Sequence, residues 1–200
     1  MNLTATAAAT ALPGTYYDDA LQTPAIRLLP AEYLVTDQPL ALITLLGSCV
    51  AACLYDTAIA TGGMNHFMLP DAGGTSDVSA RYGAHAMELL INDLLKRGAR
   101  RNRLQAKVFG GGNVLRGFTT DPIGTRNAHF VLDYLDAERI PILAQDLGDI
   151  HPRKVCFFPR SGRALVKHLP VNRDDEITSA ERALRQRLTR APVAGSVELF

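Results

Sequence analysis

Cys49 and His66 are the residues whose types and surroundings best fit a chemical step. Cys49 follows Gly47-Ser48, a small flexible pair that can turn the backbone sharply and leave peptide N–H groups free to face a developing oxyanion. A cysteine thiol has a pKa of about 8.5, so it needs a base or cationic partner to react near neutral pH. His66 follows on a segment that a hairpin-like return past Asp56 would lay beside Cys49. The pair is a candidate for nucleophilic catalysis, and a purely structural role for His66 is the alternative.

A second cysteine, Cys53, leaves another interpretation open. It follows Cys49 by four residues, so the two side chains would share one side of a strand. A CxxxC redox or metal protein is therefore an alternative, although the spacing is not CxxC and four zinc ligands at recognised spacings are not found. We favour a packing role for Cys53 and Cys156. The run Gly110–Gly112 lacks the P-loop and dinucleotide patterns and predicts a tight passage of backbone near the site. No metal or cofactor is expected.

The elements that must position these residues predict an α/β (α+β) layered sandwich, a mixed β-sheet with helices. Apolar, β-former-rich stretches predict strands in AIRLLPAEYLVT, ALITLL, VAACLYD, TGGMNHFMLPD and LQAKVFGGGN. Helical spacing predicts helices over about 79–98, with Ser79 as a possible cap, and over about 124–138. A buried strand is predicted over 140–144. A hairpin with its turn at Pro159–Gly162 is predicted after it.

Composition divides the chain into three parts. Residues 1–25 are predicted to be a flexible N-terminal arm, 26–170 the folded domain, and 171–200 a charged, helical C-terminal extension. The net charge of +1 gives no electrostatic reason to expect nucleic acid or an anionic membrane as the main partner. The longest apolar runs are too short for a membrane helix, so no membrane insertion is expected. Three cysteines suit a reducing cytoplasm.

Several motifs taken together resemble a known family. ITLLGSCVAACLYD, GGMNHFMLPD, KVFGGGN, IGTRNAHFVLDYL, ILAQDLGD and RKVCFFPRSGRALVKHL occur in this order and resemble the CheD family of bacterial chemoreceptor glutamine deamidases. The resemblance covers about residues 33–168. It implies a cysteine hydrolase domain, related in fold to deamidating bacterial toxins, that acts on glutamines of methyl-accepting chemotaxis receptors. The family's Cys, His and Thr match Cys49, His66 and Thr44.

The resemblance also implies a mechanism and partners. Cys49 would form a thioester with His66 as the base, and Thr44 would orient His66 or the substrate amide. We assign Gly47, Ser48 and Asn65 to the oxyanion and substrate loop. Receptor methyl esters are possible further substrates, a CheC-type phosphatase is a possible partner, and a cytoplasmic protein recruited to receptor arrays is expected. A non-catalytic chemotaxis adaptor that binds receptors or such a phosphatase is the alternative.

Overall fold

Two five-stranded sheets and three α-helices make up the described part of the chain. The structure, a computed structural model, describes residues 12–69, 76–113, 122–170 and 176–190. The helices are α1 (Ser76–Lys96), α2 (Ile123–Ala137) and α3 (Glu176–Arg190). The strands are β1 (Tyr16–Asp18), β2 (Thr23–Arg27), β3 (Tyr33–Thr36), β4 (Ala41–Leu46), β5 (Val50–Asp56), β6 (Thr61–Asn65), β7 (Gln105–Gly110), β8 (Ile142–Leu147), β9 (Arg153–Phe158) and β10 (Arg163–His168). Two short 3-10 helices cover Thr57–Ile59 and Arg101–Arg103.

The sheets stack as two layers, with a third layer of helices. The first sheet has the strand order β1-β2-β4-β9-β10 and the second β3-β6-β5-β7-β8. Within each sheet one pair is parallel, β2 with β4 and β7 with β8, and the other pairs are antiparallel. Helices α1 and α2 cover one face of the second sheet, and the first sheet covers its other face. The predicted layered α+β class is confirmed, with two sheets.

Strand β5 is buried on both faces because it lies in the middle of this sandwich. Its even-numbered side chains, such as Val50 and Leu54, pack in the cluster that includes residues of α1 and α2. Its odd-numbered side chains, such as Ala51 and Cys53, pack with residues of the first sheet. Successive side chains of a strand point to opposite faces, so a doubly covered strand reads as a continuous apolar run. VAACLYD is such a run.

Three local predictions differ from the structure. Helix α1 begins at Ser76, so Ser79 lies inside the helix and is not its cap. Strand β8 begins at Ile142 and its side chains are partly or fully exposed. The prediction of a buried strand over 140–144 is wrong because β8 pairs only with β7, at the edge of the second sheet. Helix α2 and the β9–β10 hairpin lie close to their predicted positions.

The first and last parts of the described residues take part in the fold. β1 pairs with β2, and β2 pairs with β4, so ordered structure begins well before the predicted boundary at residue 25; residues 1–11 lie outside the described residues. The extension after residue 170 contains α3, whose Leu184 and Leu188 pack against the core between the sheets. Within the described ranges, no helix is long and apolar enough to cross a membrane.

Candidate active site

Thr44, Cys49 and His66 all lie in the seam between the two sheets. In β4, the Thr44 side chain lies on the same face of the strand as Leu42 and Leu46, and this face packs against the second sheet. Across β5 and β6 the register pairs Cys53 with Met64, and the bridge between Val50 and Phe67 continues the same register. His66 is therefore diagonal to Cys49, on the face that looks toward the first sheet. Diagonal neighbours of an antiparallel pair are within reach of long or aromatic side chains.

Thr44 determines which nitrogen of His66 carries the proton. The Thr44 hydroxyl donates its one hydrogen to the carbonyl of Leu28, at 2.9 Å. Thr44 Oγ1 also lies 2.8 Å from His66 Nδ1, so in this contact the oxygen accepts and Nδ1–H donates. A neutral imidazole has one N–H, which leaves Nε2 as a bare lone pair. Nε2 is buried and has no hydrogen-bond partner among the described residues. It is placed to act as a base.

The backbone around His66 leaves the β5–β6 ladder at this point. The His66 N–H donates to the Glu32 carbonyl at 2.9 Å, and the Ala31 N–H donates to the His66 carbonyl at 2.8 Å. In β5 the Ala52 N–H donates instead to Asn65 Oδ1, at 2.9 Å. The Asn65 side chain thus supplies the acceptor that the β6 backbone does not. The backbone of His66 is instead hydrogen-bonded to residues just before β3.

The predicted substrate-loop role of Asn65 finds no support in its position. Asn65 alternates with His66, so its side chain points to the opposite face of the second sheet. There its amide group donates to the carbonyl of Ala86 in α1, at 3.2 Å, while its oxygen accepts from Ala52. Asn65 is a structural link between the sheet and α1, on the side of the sheet away from Cys49.

The turn at residues 47–49 carries the chain from the first sheet to the second. Its three carbonyl groups are all engaged on one side. They accept from Gly112 N (to Gly47, 2.8 Å), Asn127 Nδ2 (to Ser48, 2.7 Å) and Gly111 N (to Cys49, 2.8 Å). With the carbonyls held there, the three N–H groups of the turn are free to converge on one acceptor, as the predicted role of Gly47 and Ser48 requires.

The glycine run and Asn127 set the shape of this turn. Gly110 has a φ of +106°, and a Cβ at this position would overlap the Cys49 carbonyl. The tight passage of backbone predicted here is present. Asn127, in the first turns of α2, also accepts from the Leu69 N–H at 2.9 Å, so one side chain ties two loops together. Nothing in its sequence context beyond its place near a helix start indicated this role.

The acceptor for the three N–H groups is the carboxylate of Glu181, in α3. It accepts from the N–H groups of Gly47 (3.0 Å), Ser48 (2.9 Å) and Cys49 (2.8 Å), and from the Ser48 hydroxyl (2.7 Å). Glu181 is 1% exposed. Glu181 is not among the residues predicted from the sequence, which indicates only a charged helical extension in this region. The available signal was an acid at helical spacing from Ile177, Leu184 and Leu188.

The electrostatics of the site favour neutral groups. Burial raises the pKa of the Cys49 thiol well above its usual value, and the negative charge of Glu181 and its hydrogen bond with the thiol raise it further. Burial lowers the pKa of His66 to about 4. With Glu181 in place, the site therefore holds a thiol and a neutral imidazole. Removal of the carboxylate would take away one charge that opposes the thiolate.

Comparisons with known proteins agree on one family. A family model described as CheD chemotactic sensory transduction matches residues 68–168. A Xanthomonas campestris protein named probable chemoreceptor glutamine deamidase CheD is 60% identical, over 92% of this chain and 93% of its own. Proteins with the same name from Stenotrophomonas maltophilia (58%; 92% and 93%) and Thiobacillus denitrificans (55%; 92% and 94%) are similar over comparable lengths. The chain belongs to the CheD family. A solved Neisseria meningitidis structure of the DUF152 family is 11% identical, with a TM-score of 0.44 over 72% of this chain and 74% of that one.

In this CheD-family chain, Cys49 and Cys53 cannot form a redox pair in the observed fold. All three cysteines are free and buried. Four residues of extended chain separate the Cα atoms of Cys49 and Cys53 by about 13 Å, whereas a disulfide needs less than about 7 Å. Burial raises the pKa of the Cys53 thiol, which packs among apolar side chains of the seam. These features fit the predicted packing role.

A cluster of imidazoles and carboxylates lies at the β9–β10 hairpin. Within the described residues, Asp149, His151 and His168 are the group whose potential metal-binding atoms come within 4.8 Å of one another. Sequence spacing did not predict that the rings of His151 and His168 would stack, with centroids 6.1 Å apart. Each imidazole pairs with a carboxylate, His151 with Asp149 and His168 with Asp146. The contacts present are hydrogen bonds between imidazoles and carboxylates.

Two cavities border His66. The larger, of about 220 Å³, lies toward α1 and is lined in part by Tyr82 and His85. The smaller, of about 40 Å³, lies between His66 and α3 and is lined in part by Leu28 and Glu181. The second cavity has room for a water molecule, and His66 and Glu181 are polar groups in its lining. In this CheD-family site, His66 therefore lies next to space in which a water molecule fits.

Proposed function

We propose that this protein hydrolyses glutamine side chains of methyl-accepting chemotaxis receptors to glutamate, with Cys49 as the nucleophile and His66 as the base. Relatives at 55–60% identity carry the name probable chemoreceptor glutamine deamidase. The observation that carries the mechanism is the bare Nε2 of buried His66, on the same sheet face as Cys49, beside a turn with three convergent N–H groups.

In the first half-reaction, the substrate carboxamide occupies the place of the Glu181 carboxylate. His66 Nε2 takes the proton of the Cys49 thiol as Sγ bonds to the carboxamide carbon. The oxygen becomes an oxyanion, which the N–H groups of Gly47, Ser48 and Cys49 stabilise. The C–N bond then breaks as Nε2–H protonates the nitrogen. Ammonia leaves and a thioester remains on Cys49.

In the second half-reaction, water hydrolyses the thioester. Neutral His66 takes a proton from the water as its oxygen attacks the thioester carbon, and the cavity beside His66 has the volume for that water. The C–S bond then breaks and His66 returns the proton to Cys49. Through both steps Thr44 holds the Nδ1–H of His66, so that Nε2 always faces the reaction. The product is a glutamate side chain.

Receptor methyl esters are compatible with the same machinery. Attack by Cys49 would expel methanol in place of ammonia and leave the same thioester. We also propose, from the family resemblance, that the protein acts in the cytoplasm at receptor arrays and that a CheC-type phosphatase is a candidate partner. These assignments share one requirement, that receptor helices reach the turn at residues 47–49.

The direct test uses the full-length protein and the cytoplasmic fragment of a chemoreceptor. Peptide mass spectrometry is expected to show conversion of specific glutamines to glutamate. Cys49→Ala is expected to lower the rate by about 10⁴-fold or more, as loss of a nucleophile does. Cys53→Ala, which removes a thiol of the same seam, is expected to retain activity. Conversion by Cys49→Ala at the wild-type rate would refute the mechanism.

A cellular measurement separates this proposal from the adaptor alternative. Replacement of the chromosomal copy by Cys49→Ala is expected to give the chemotaxis phenotype of a deletion. An adaptor that binds receptors or a phosphatase without catalysis would instead retain function in that strain, while changes on the surface around the site would abolish it.

A further inference from the structure

Helix α3 carries an acid in the middle of its apolar stripe. Ile177, Leu184 and Leu188 are buried or partly buried, and Glu181 occupies the same stripe one turn after Ile177. A charged group at such a position is costly unless every lone pair finds a donor. On the opposite side, Arg182, Gln186 and Arg187 are exposed. The buried acid therefore needs a specific partner on the surface that α3 covers.

That partner is the set of donors that, in the proposed mechanism, stabilises the oxyanion. Oε1 accepts from the N–H groups of Gly47 and Cys49, and Oε2 accepts from the N–H and hydroxyl of Ser48. A glutamate formed by deamidation ends in the same planar carboxylate on the same two methylene groups. Glu181 therefore matches the reaction product in both chemistry and position.

We infer that α3 occupies the substrate-binding surface as an intramolecular product analogue, and that a substrate helix must displace it before reaction. This inference rests on the proposed function and adds to it the regulation and recognition of the site. The surface accepts an amphipathic helix with glutamine at the position of Glu181. Apolar side chains would lie four residues before it and three and seven residues after it, as Ile177, Leu184 and Leu188 do in α3.

The seated helix opposes catalysis in two ways. Its Glu181 carboxylate occupies the N–H groups that would stabilise the oxyanion. The negative charge of Glu181 also favours the protonated form of Cys49. Because α3 belongs to the same chain, its effective concentration is of the order of millimolar. A substrate that carries only a lone glutamine side chain would compete poorly, whereas a whole helix can replace the apolar contacts as well.

The first test measures the reactivity of Cys49 without any receptor. Iodoacetamide is added to the full-length protein, and alkylation of Cys49 is followed by peptide mass spectrometry. Glu181→Ala and Leu184→Asp, which release α3 by different means, are each expected to raise the alkylation rate by about tenfold or more over wild type. The matched control Glu88→Gln removes an exposed acid from α1 and is expected to leave the rate unchanged. Equal rates in wild type and both α3 variants would overturn the inference.

The second test makes α3 its own substrate. In Glu181→Gln a carboxamide replaces the carboxylate beside Cys49, so the chain is expected to deamidate itself at position 181. Intact-protein and peptide mass spectra would show conversion that is absent when Cys49→Ala is added. An unconverted position 181 in a protein whose Glu181→Ala variant deamidates receptors would contradict the placement of this side chain.

The two proposals fail in different ways. If Glu181→Ala speeds alkylation but no variant deamidates the receptor fragment, α3 still covers the site and the proposed function is wrong. If wild type and Glu181→Ala deamidate the fragment at the same rate and are also alkylated at the same rate, the proposed function stands and α3 does not regulate the site. Faster receptor deamidation together with faster alkylation in Glu181→Ala supports both.

Discussion

Replacement of Thr44 by valine tests how the site fixes the protonation state of its base. Thr44 is fully buried, and its hydroxyl links the Leu28 carbonyl to Nδ1–H of His66 by contacts of 2.9 and 2.8 Å. Valine keeps the shape of threonine and removes only this oxygen. Without it the Nδ1–H tautomer loses its side-chain acceptor, which removes a preference for Nδ1 and lets the proton move to Nε2, where it would block the base.

The size of the effect follows from the cost of an unpaired buried group. A buried donor without a partner costs about 1–3 kcal/mol, and each 1.4 kcal/mol corresponds to about a factor of ten. The rate of deamidation by Thr44→Val is therefore expected to fall by roughly 5- to 150-fold. The free energy of unfolding is expected to fall by a similar 1–3 kcal/mol, because the Leu28 carbonyl also loses its donor.

The assay combines receptor deamidation with NMR of the imidazole nitrogens. Wild type is expected to show a protonated Nδ1 and an unprotonated Nε2 on His66, and Thr44→Val a mixture or the other tautomer. Thr44→Ser retains the hydroxyl and is expected to keep both the wild-type tautomer and at least most of the activity. A Thr44→Val protein with wild-type rate and tautomer, or a Thr44→Ser protein as impaired as Thr44→Val, would refute the reasoning.

Three further outcomes are expected. Since the pKa of His66 is lowered from 6.5 to about 4, its stabilising effect is present above pH 6.5 and lost as pH falls to about 4. Urea titrations of wild type against His66→Gln should show a difference of about 3 kcal/mol between pH 7 and 4. Asn127→Ala, which leaves the Ser48 carbonyl without its donor and the Leu69 N–H without its acceptor, should lower the free energy of unfolding by about 2–6 kcal/mol and slow deamidation. Mass mapping after mild oxidation should show no disulfide between Cys49 and Cys53.

The relation of Cys49 to His66 is predictable because it depends on local rules. A short return between β5 and β6 and the two-residue period of strands are enough to place both side chains on one sheet face. The same period should have excluded Asn65, which is adjacent to His66 and must point the other way. Thr44 is predicted as a site residue only from the family resemblance, because its contact with His66 depends on how the two sheets stack. No periodicity within either strand specifies that packing.

Glu181 shows where sequence reasoning stops. It contacts Cys49, which lies 132 positions earlier in the sequence, and helix α3 has the exposed charges of an ordinary solvated helix. Its hydrophobic stripe is short, and the acid within it resembles a surface residue until its partners are known. Three of the four donors are main-chain N–H groups, which leave no trace in residue types. Only the shape of the turn at 47–49 reveals that three of them converge.

That turn creates a problem which any hydrolase of this design must solve. Donors that stabilise an oxyanion also bind a carboxylate, and deamidation converts a neutral carboxamide into one. The product glutamate should therefore hold the site as Glu181 does and raise the pKa of the Cys49 thiol in the same way. A helix that competes for the same donors would help to expel this product, at the cost of slower entry of substrate. Glutamate-containing receptor helices should then inhibit Glu181→Ala more strongly than wild type, and inhibition constants for one helix with glutamate or alanine at the modified position would measure the difference.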